Sequence, residues 1–205
     1  MRKTPQQQRA INIVNNILEA TQLCIVEQGL LQITTPKIAE KSGVSVGSIY
    51  QYFENKEQII TELLRRKSES LGLALKQIVM SQDHLSIQEI IPLSIQFGFD
   101  MLKAEGGFFI EVLKHWHGYN NSQATKVLEQ HFFEVGMYLC NRFYSHWNFE
   151  MLKHKSFVII NSTLFTMMQY VSNNNFLISE QQLKFELSTL ILSYLEQSRL
   201  SRNKI

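Results

Sequence analysis

The chain has 205 residues, 44% of them hydrophobic, which is enough for one large domain or for a small domain joined to a medium one. Three prolines and nine glycines are few, and no stretch alternates Val, Ile and Thr between turn residues, so the composition favours an all-helical fold. No apolar run approaches the roughly 18 to 20 residues of a membrane span, and the N-terminus continues into an amphipathic helix instead of a signal-peptide core. We therefore expect a cytoplasmic protein with no membrane partner.

The net charge of +2 is unevenly distributed along the chain. Residues 1–68 hold nine Lys and Arg against six Asp and Glu, whereas residues 69–205 hold eleven against twelve. Aromatic residues show the opposite bias, because only three of the 22 fall within residues 1–68. Phosphate binding, if present, is expected in the first third, and the two parts should have different roles.

The first three predicted helices are marked by apolar spacing and by capping residues. Residues 6–27 carry apolar side chains at the three-to-four spacing of one helix face. Residues 34–36, Thr-Thr-Pro, offer a hydroxyl cap followed by a proline that suits the first helical position, so a short second helix should begin there and stop near Gly43. Ser45 can cap a third helix that ends around Phe53.

Six further helices are predicted, for a total of about nine. A capping box at residues 55–58 opens a fourth helix that can run to about residue 79 and connect the two parts. The boundaries of the others come from Ser-x-x-Glu and Ser-x-x-Gln caps and from glycine breaks: 86 to about 105, 108–117, 122–147, about 155–172, and about 180–197.

Residues 35–53 have the pattern of a helix-turn-helix. Ala39 supplies a small residue where two helices touch, and Gly43, four residues later, tolerates a positive φ in the turn. At 100° per residue, the apolar side of the third helix consists of Val46, Ile49 and Phe53. The side chains that point away, toward a major groove, are then Gly47, Ser48 and Gln51, with Tyr50 and Tyr52 on the flanks where phosphates would lie.

The stretch from Ile33 to Glu57 resembles the N-terminal signature of the tetracycline-repressor (TetR) family, and the similarity spans roughly residues 9–64. The resemblance implies a phosphate contact by the threonine that opens the second helix, Thr35, and a grip on the DNA backbone by Lys56. It implies that the recognition helix uses Ser45, Gly47, Ser48, Tyr50, Gln51 and Tyr52. Two departures stand out: Tyr52 occupies the place where histidine is commonest, and Cys24 replaces a large apolar residue.

We therefore expect three parts: a DNA-binding head at residues 1–53, a connecting helix at 54–80 and a regulatory domain at 81–205. A single head contacts too few base pairs for useful specificity, so a homodimer on a palindromic operator is expected physically as well as by resemblance. The expected dimer interface lies on the last two long helices and consists of Phe157, Ile160, Leu164, Leu183, Leu187, Leu190 and Tyr194. Repression by operator occupancy, relieved by an effector, is the expected mechanism.

The resemblance also implies a ligand cavity in the regulatory part, which is rich in aromatic residues and methionine. Taken individually, these residues are better explained as an ordinary helical core, whereas together they are also what an adaptable apolar ligand cavity needs. We expect a small apolar or aromatic effector contacted by some of Phe97, Met101, Phe109, Trp116, Phe133 and Met168.

Other chemistry is weakly indicated. Residues 43–47 match G-x-S-x-G, but a nucleophile elbow needs a preceding strand, and here a helix-like segment precedes it. His115 and His117 point about 200° apart on a helix, so they cannot easily share a metal. Cys24 and Cys140 match no ligand spacing and are interpreted as buried thiols. We expect no catalytic residue, metal or cofactor. The alternative function is a small-molecule-binding or enzymatic helical bundle that does not bind DNA.

Overall fold

The structure, a computed structural model, describes residues 8–115, 123–172 and 177–200, and within them all side chains except those of 124, 125 and 197–200. These ranges contain nine α-helices, two short 3₁₀ segments and no strand, which confirms the all-α prediction. The helices are α1 Gln8–Gln28, α2 Thr35–Ser42, α3 Val46–Tyr52, α4 Lys56–Met80, α5 Ile87–Lys103, α6 Phe108–Lys114, α7 Gln123–Phe143, α8 Phe149–Ser172 and α9 Glu180–Leu200. None of these nine is both long and apolar enough to cross a bilayer.

The described residues form two compact units. Residues 8–70, 104–115 and 123–128 make up the N-terminal unit, and residues 71–103, 129–172 and 177–200 make up the C-terminal unit. Helices α4 and α7 each contribute residues to both. This grouping differs from the expected division at residue 81, because α6 belongs to the N-terminal unit, which includes the head, and not to the C-terminal unit.

Helix α6 joins the N-terminal unit because two glycines reverse the chain before it. Gly106 and Gly107 have φ values of 65° and 87°, which side-chain-bearing residues rarely adopt. The reversed helix packs on α1 and places Phe108 and Val112 in the head core, where they are 0% and 4% exposed. The Glu111 carboxylate accepts a hydrogen bond from the Leu30 N–H at 3.1 Å, which fixes α6 to the turn after α1.

The core of the C-terminal unit combines side chains from α4, α5, α7, α8 and α9. Helix α5 packs along α9 and also contacts α8. At the end of α7, Tyr144 stacks on Trp147 with ring centroids 4.4 Å apart. The Arg142 guanidinium donates to the carbonyls of Gln82 and Leu85 at 3.1 and 2.7 Å, so one side chain holds the connection between α4 and α5.

Helix α8 begins six residues earlier than the sequence indicates. The Asn148 side chain accepts a hydrogen bond from the Met151 N–H at 2.9 Å and caps the helix. The polar residues Lys153 and His154, which suggested a connection, lie on the exposed side of α8. A helix with one solvated side therefore looked like a loop in the sequence.

Candidate nucleic-acid interface

The turn between α2 and α3 has helix-turn-helix geometry. Gly43 has φ 67° and ψ 17°, and its N–H donates to the Ala39 carbonyl. The Val44 N–H donates to the same carbonyl at 3.2 Å. A Cβ at position 43 would meet no atom within 4 Å, so glycine is required there for backbone conformation and not for space.

The start of α2 is shifted by one residue from the sequence prediction. Thr34, not Thr35, is the N-cap, and its side chain accepts from the Lys37 N–H at 3.4 Å. Pro36 therefore occupies the second helical position. Thr35 is only 8% exposed, so the predicted phosphate contact would have to use a small part of its surface. Exposed Thr34 is the residue that sequence reasoning missed, because either hydroxyl could have supplied the cap.

Helix α3 is initiated by Ser45, as the sequence predicted. The Ser45 hydroxyl accepts from the Ser48 N–H at 3.1 Å, and the two hydroxyl oxygens are 2.8 Å apart. Both serines therefore have a structural role in starting the helix. Any contact they make with DNA must use the remaining hydrogen-bonding capacity of these hydroxyls.

The two sides of α3 divide largely as the helical wheel predicts. Ile49 and Phe53 are fully buried, and Val46 packs against the same core. On the other side Gly47 and Gln51 are exposed, and Tyr50 is 44% exposed.

Tyr52 is a correction to this pattern, since it is 8% exposed and belongs to the head core. It lies about 60° from Ile49 around the helix, close enough for a large ring to pack inward. The expected position on an exposed flank is therefore wrong for this side chain.

Lys56 connects the start of α4 with the start of α2. Its ammonium donates to the Ile33 carbonyl at 3.1 Å, immediately before the N-cap Thr34. One N–H is thus engaged within the protein, and the ammonium has two more to offer a phosphate. The bond also means that Lys56 helps to fix the position of α2.

Several cations of the head are paired with carboxylates, which limits the charge available for DNA. Lys41 pairs with Glu27, and the Arg65 and Arg66 guanidinium groups donate to Glu62 at 2.8 to 3.0 Å. Burial alone would raise the pKa of Glu62, but the hydrogen bonds from the two arginines outweigh it and hold that pKa below its usual value.

Lys37 on α2 is a further exposed cation that the sequence interpretation did not select. Its ammonium donates to the Gln32 carbonyl at 3.0 Å. The sequence signal that could have identified it is its position in the first turn of α2, three residues after Thr34.

Comparison with known proteins agrees with this geometry. Residues 17–63, which contain α2, the turn and α3, match the family described as bacterial regulatory proteins, tetR family. Over this segment the chain is similar to the TetR family. Similarity to regulatory proteins agrees with the expectation that the chain is not an enzyme.

Individual proteins are also similar to this chain. YvkB of Bacillus subtilis, an HTH-type transcriptional regulator, is 31% identical over 118 residues, covering 55% of this chain and 62% of YvkB, less than two thirds of that relative. A TetR transcriptional regulator from Rhodococcus sp. RHA1 is 12% identical with a TM-score of 0.66, covering 92% of this chain and 98% of the other. RolR in complex with resorcinol is 15% identical with a TM-score of 0.63, covering 91% and 88%. At these identities the two structures establish the fold alone.

One prediction concerns the cap of α3. Ser45→Ala should lower the free energy of unfolding by about 0.5 to 2 kcal/mol, because the Ser48 N–H loses its acceptor. Ser70→Ala, at an exposed position inside α4, is the matched control and should be neutral or slightly stabilising. The measurement is urea denaturation followed by circular dichroism. Equal stability of the two variants would show that Ser45 does not stabilise the helix start.

The six residues expected to bind an effector do not line one described cavity. Phe109 packs against the head core, and Phe97 packs against the core of the C-terminal unit. Phe133 makes an edge contact with Phe149 at 6.5 Å between ring centroids, and Met101 and Met168 are half-buried. Trp116 lies outside the described residues, as does His117.

A different set of residues surrounds a small cavity within the C-terminal unit. Its volume is about 60 Å³, and α5, α7, α8 and α9 supply almost all of the wall. The lining is aliphatic except for Tyr144 and three side chains on α7 and α8, Cys140, Lys155 and Ser156. Burial raises the pKa of the Cys140 thiol to about 11, so this cysteine is a neutral part of the wall, as is expected of a buried thiol.

The expected dimer residues divide into three groups by exposure. Leu183 and Leu187 are 7% and 5% exposed and pack inside their own chain, so they are not available to a partner. Ile160 and Leu164 are half-buried, and Tyr194 lies under the Lys155 ammonium. Phe157 and Leu190, in contrast, are 68% and 52% exposed.

Three exposed apolar residues on the same two helices were missed by the sequence analysis. Val158 and Phe165 lie on α8 beside Phe157, and Phe185 lies on α9. Phe157 and Phe165 are eight residues apart and therefore share one helix face. The sequence signal that could have identified Phe165 is this spacing from Phe157.

The remaining candidate chemistry receives no support. Helix α2 precedes the G-x-S-x-G stretch, where a nucleophile elbow requires a strand. Among the residues that the structure describes, no three His, Cys, Asp or Glu side chains are grouped as metal ligands.

Proposed function

We propose that this chain is a cytoplasmic, DNA-binding transcription regulator that inserts α3 into the major groove. The observation that carries the proposal is the division of α3 into a buried side and an exposed side. Ile49 and Phe53 anchor it in the head core, while Tyr50 and Gln51 project from a rigid support. A helix presented in this way by a helix-turn-helix is the element that reads base edges.

Contacts to the DNA backbone are proposed for residues around the start of α2 and α4. Lys56 supplies a cation that is bonded to the Ile33 carbonyl, and Thr34 and Lys37 supply exposed polar groups at the start of α2. Such contacts fix the orientation of the head on the duplex but carry no sequence information. We assign Thr35 and Tyr52 only minor contacts with DNA, because both side chains are largely buried.

The proposed assembly is a homodimer that pairs α8 and α9 with those of a second copy. Support comes from the large apolar side chains that both helices leave exposed, Phe157, Val158, Phe165, Phe185 and Leu190. Monomeric proteins rarely leave such patches uncovered. Two heads on a palindrome would supply the specificity that a single head lacks.

The proposed mode of regulation is repression by occupancy of the operator, relieved by a small-molecule effector. RolR, a protein of similar fold, is known with resorcinol bound. An effector can release DNA only if it binds the released conformation more tightly than the DNA-bound one.

Gln51 is expected to read a base, and Gln51→Ala tests this. Its amide can pair with adenine, so the variant should lose about 1 to 3 kcal/mol of binding free energy per half-site and relax the preference at one base pair. The exposed glutamine of α5 gives a matched control, Gln88→Ala, which should bind as the unchanged protein does. The measurement is a mobility-shift titration on DNA upstream of the chain's own gene, with each base pair varied in turn.

Lys56→Ala separates backbone contacts from base reading in the same assay. It should weaken binding to all duplexes about equally and reduce the salt slope by about one per contact. A change of sequence preference in Lys56→Ala, with none in Gln51→Ala, would contradict the proposed orientation of α3. No binding to any duplex would favour the alternative of a helical bundle that binds small molecules only.

A further inference from the structure

The glycine of α3, Gly47, differs from the other glycines in the described ranges, which fall into two groups. In the first group φ is positive, a conformation that side-chain-bearing residues rarely adopt: Gly29, Gly43, Gly106 and Gly107. In the second group, within helices, an added Cβ would come to between 2.3 and 3.0 Å from a neighbouring side chain: Gly72, Gly98 and Gly136. Backbone conformation or close packing therefore accounts for each of these glycines.

Neither reason applies to Gly47. Its backbone is helical, it is exposed, and a Cβ built on it would meet no atom within 4 Å. A glycine in such a position lowers stability, because it gives the unfolded chain more conformational freedom than alanine would. The chain gains neither a conformation nor a contact of its own in return, so the requirement for glycine points to something outside the chain.

The position of Gly47 indicates what that partner is. Gly47 lies one turn before Gln51, and residues four apart share one face of a helix, here the exposed side of α3. It also lies in the first turn of α3, and the N-terminal residues of a recognition helix are the ones that contact base edges. Without a Cβ at this point, the main chain of α3 can come closer to the floor of the major groove.

The surface that Gly47 offers to the groove is its Cα methylene, which is apolar and forms no ordinary hydrogen bond. Base edges in the major groove carry donors and acceptors, and the apolar group among them is the C5-methyl of thymine. A donor or acceptor pressed against the Cα would lose its water without replacement, which is unfavourable. We infer that Gly47 is a specificity-determining residue whose Cα receives a thymine methyl. The inference rests on the proposed function, in which α3 enters the major groove.

The test is a mobility-shift titration on DNA upstream of the chain's own gene, with each thymine replaced in turn by deoxyuridine, which lacks only the methyl group. At the thymine that faces Gly47, the unchanged chain should lose affinity about fourfold, the value of one buried methyl. Gly47→Ala should bind the thymine duplex at least about tenfold more weakly, because its new methyl collides with that of the base.

The decisive result is a reversal of preference at one position of each half-site. Deoxyuridine there should restore most of the affinity that Gly47→Ala has lost, since the alanine methyl then occupies the space of the missing thymine methyl. The unchanged chain would prefer thymine and the variant would prefer deoxyuridine. An equal loss by Gly47→Ala on thymine and deoxyuridine duplexes at every position would overturn the inference.

Thermal melting separates this role from a structural one. Gly47→Ala should raise the melting temperature by about 1 to 4 °C, because alanine restricts the unfolded chain and fits the helix. The matched contrast is Gly43→Ala, which also adds a methyl in open space, but at φ 67°, and should lower the melting temperature. A lower melting temperature of Gly47→Ala would show that the fold itself needs this glycine and would overturn the inference.

The two proposals fail in different ways. If the unchanged chain binds the duplex and Gly47→Ala binds it equally well, the inference is wrong and the proposed function stands. If the unchanged chain binds no duplex, both are wrong.

Discussion

Phe108→Ala should lower the free energy of unfolding of the N-terminal unit by about 3 to 5 kcal/mol, the usual cost of removing a buried ring. Phe108 is fully buried in the head core among side chains from α1 to α4, although it is far from them in sequence. Its ring also makes an edge contact with Phe109 at 5.2 Å between centroids. The surrounding helices can close only part of the space that the ring would leave.

The measurement is hydrogen exchange of the amides in α1 to α3, which reports the stability of the head itself. Leu31→Ala is the control, because Leu31 belongs to the same unit and is 66% exposed, so its loss should change stability by less than about 0.5 kcal/mol. If Phe108→Ala accelerates exchange only in the C-terminal unit, the placement of α6 in the head is incorrect.

The double variant Phe157→Glu with Phe165→Glu should convert the proposed dimer into a monomer and abolish binding to a full palindrome. Phe157 and Phe165 are 68% and 62% exposed, so glutamate at these positions costs little in the isolated chain. In a dimer the new carboxylates would be buried without partners, which is strongly unfavourable. The measurement is multi-angle light scattering together with an operator titration.

A control pair shows whether the effect depends on position. Leu23 on α1 and Leu73 on α4 are also about half exposed, at 48% and 51%, and lie outside α8 and α9. Glutamate at both should leave the oligomeric state unchanged. A dimer that survives the α8 variant would exclude these phenylalanines from the interface, and a monomer in the unchanged chain would exclude the assembly itself.

The head was the most predictable part of the molecule. Its signals are local: Gly43 is needed for a positive φ, Ser45 caps α3, and Ile49 and Phe53 face inward by helical spacing. The errors there are equally local in origin. Either of the two adjacent threonines could have capped α2. A helical wheel gives the direction in which the Tyr52 side chain leaves the helix, but not how far its ring reaches toward the core.

The packing partners of the later helices were less predictable, because the sequence of an apolar helix face does not indicate which element packs against it. Leu183 and Leu187 have the spacing expected of an interface, but α5 of the same chain already packs along α9. The exposed Phe157 and Val158 of α8 belong to the apolar run 157–160, whose other two residues are half-buried, so the sequence does not distinguish the exposed side from the packed one. Only the tertiary arrangement distinguishes an internal face from an external one.

The candidate ligand residues show the same limit. Aromatic content suggested a cavity near Phe97 and Phe133, whereas the observed cavity is lined mainly by aliphatic side chains and Lys155. Lys155 gave no signal in the sequence, since a lysine in a polar segment is ordinarily solvated. Its environment depends on Tyr194 and Trp147, which approach it only in the folded chain.

The contribution of α6 to the head core has a consequence for biosynthesis. Domains that consist of one continuous segment can fold as soon as they leave the ribosome, N-terminal domain first. Here residues 8–70 have emerged long before Phe108 and Val112, and residues 71–103, which belong to the other unit, are made in between. The head of the nascent chain therefore lacks two core side chains until translation has passed residue 112. During that interval its apolar interior is open to chaperones and to other nascent chains.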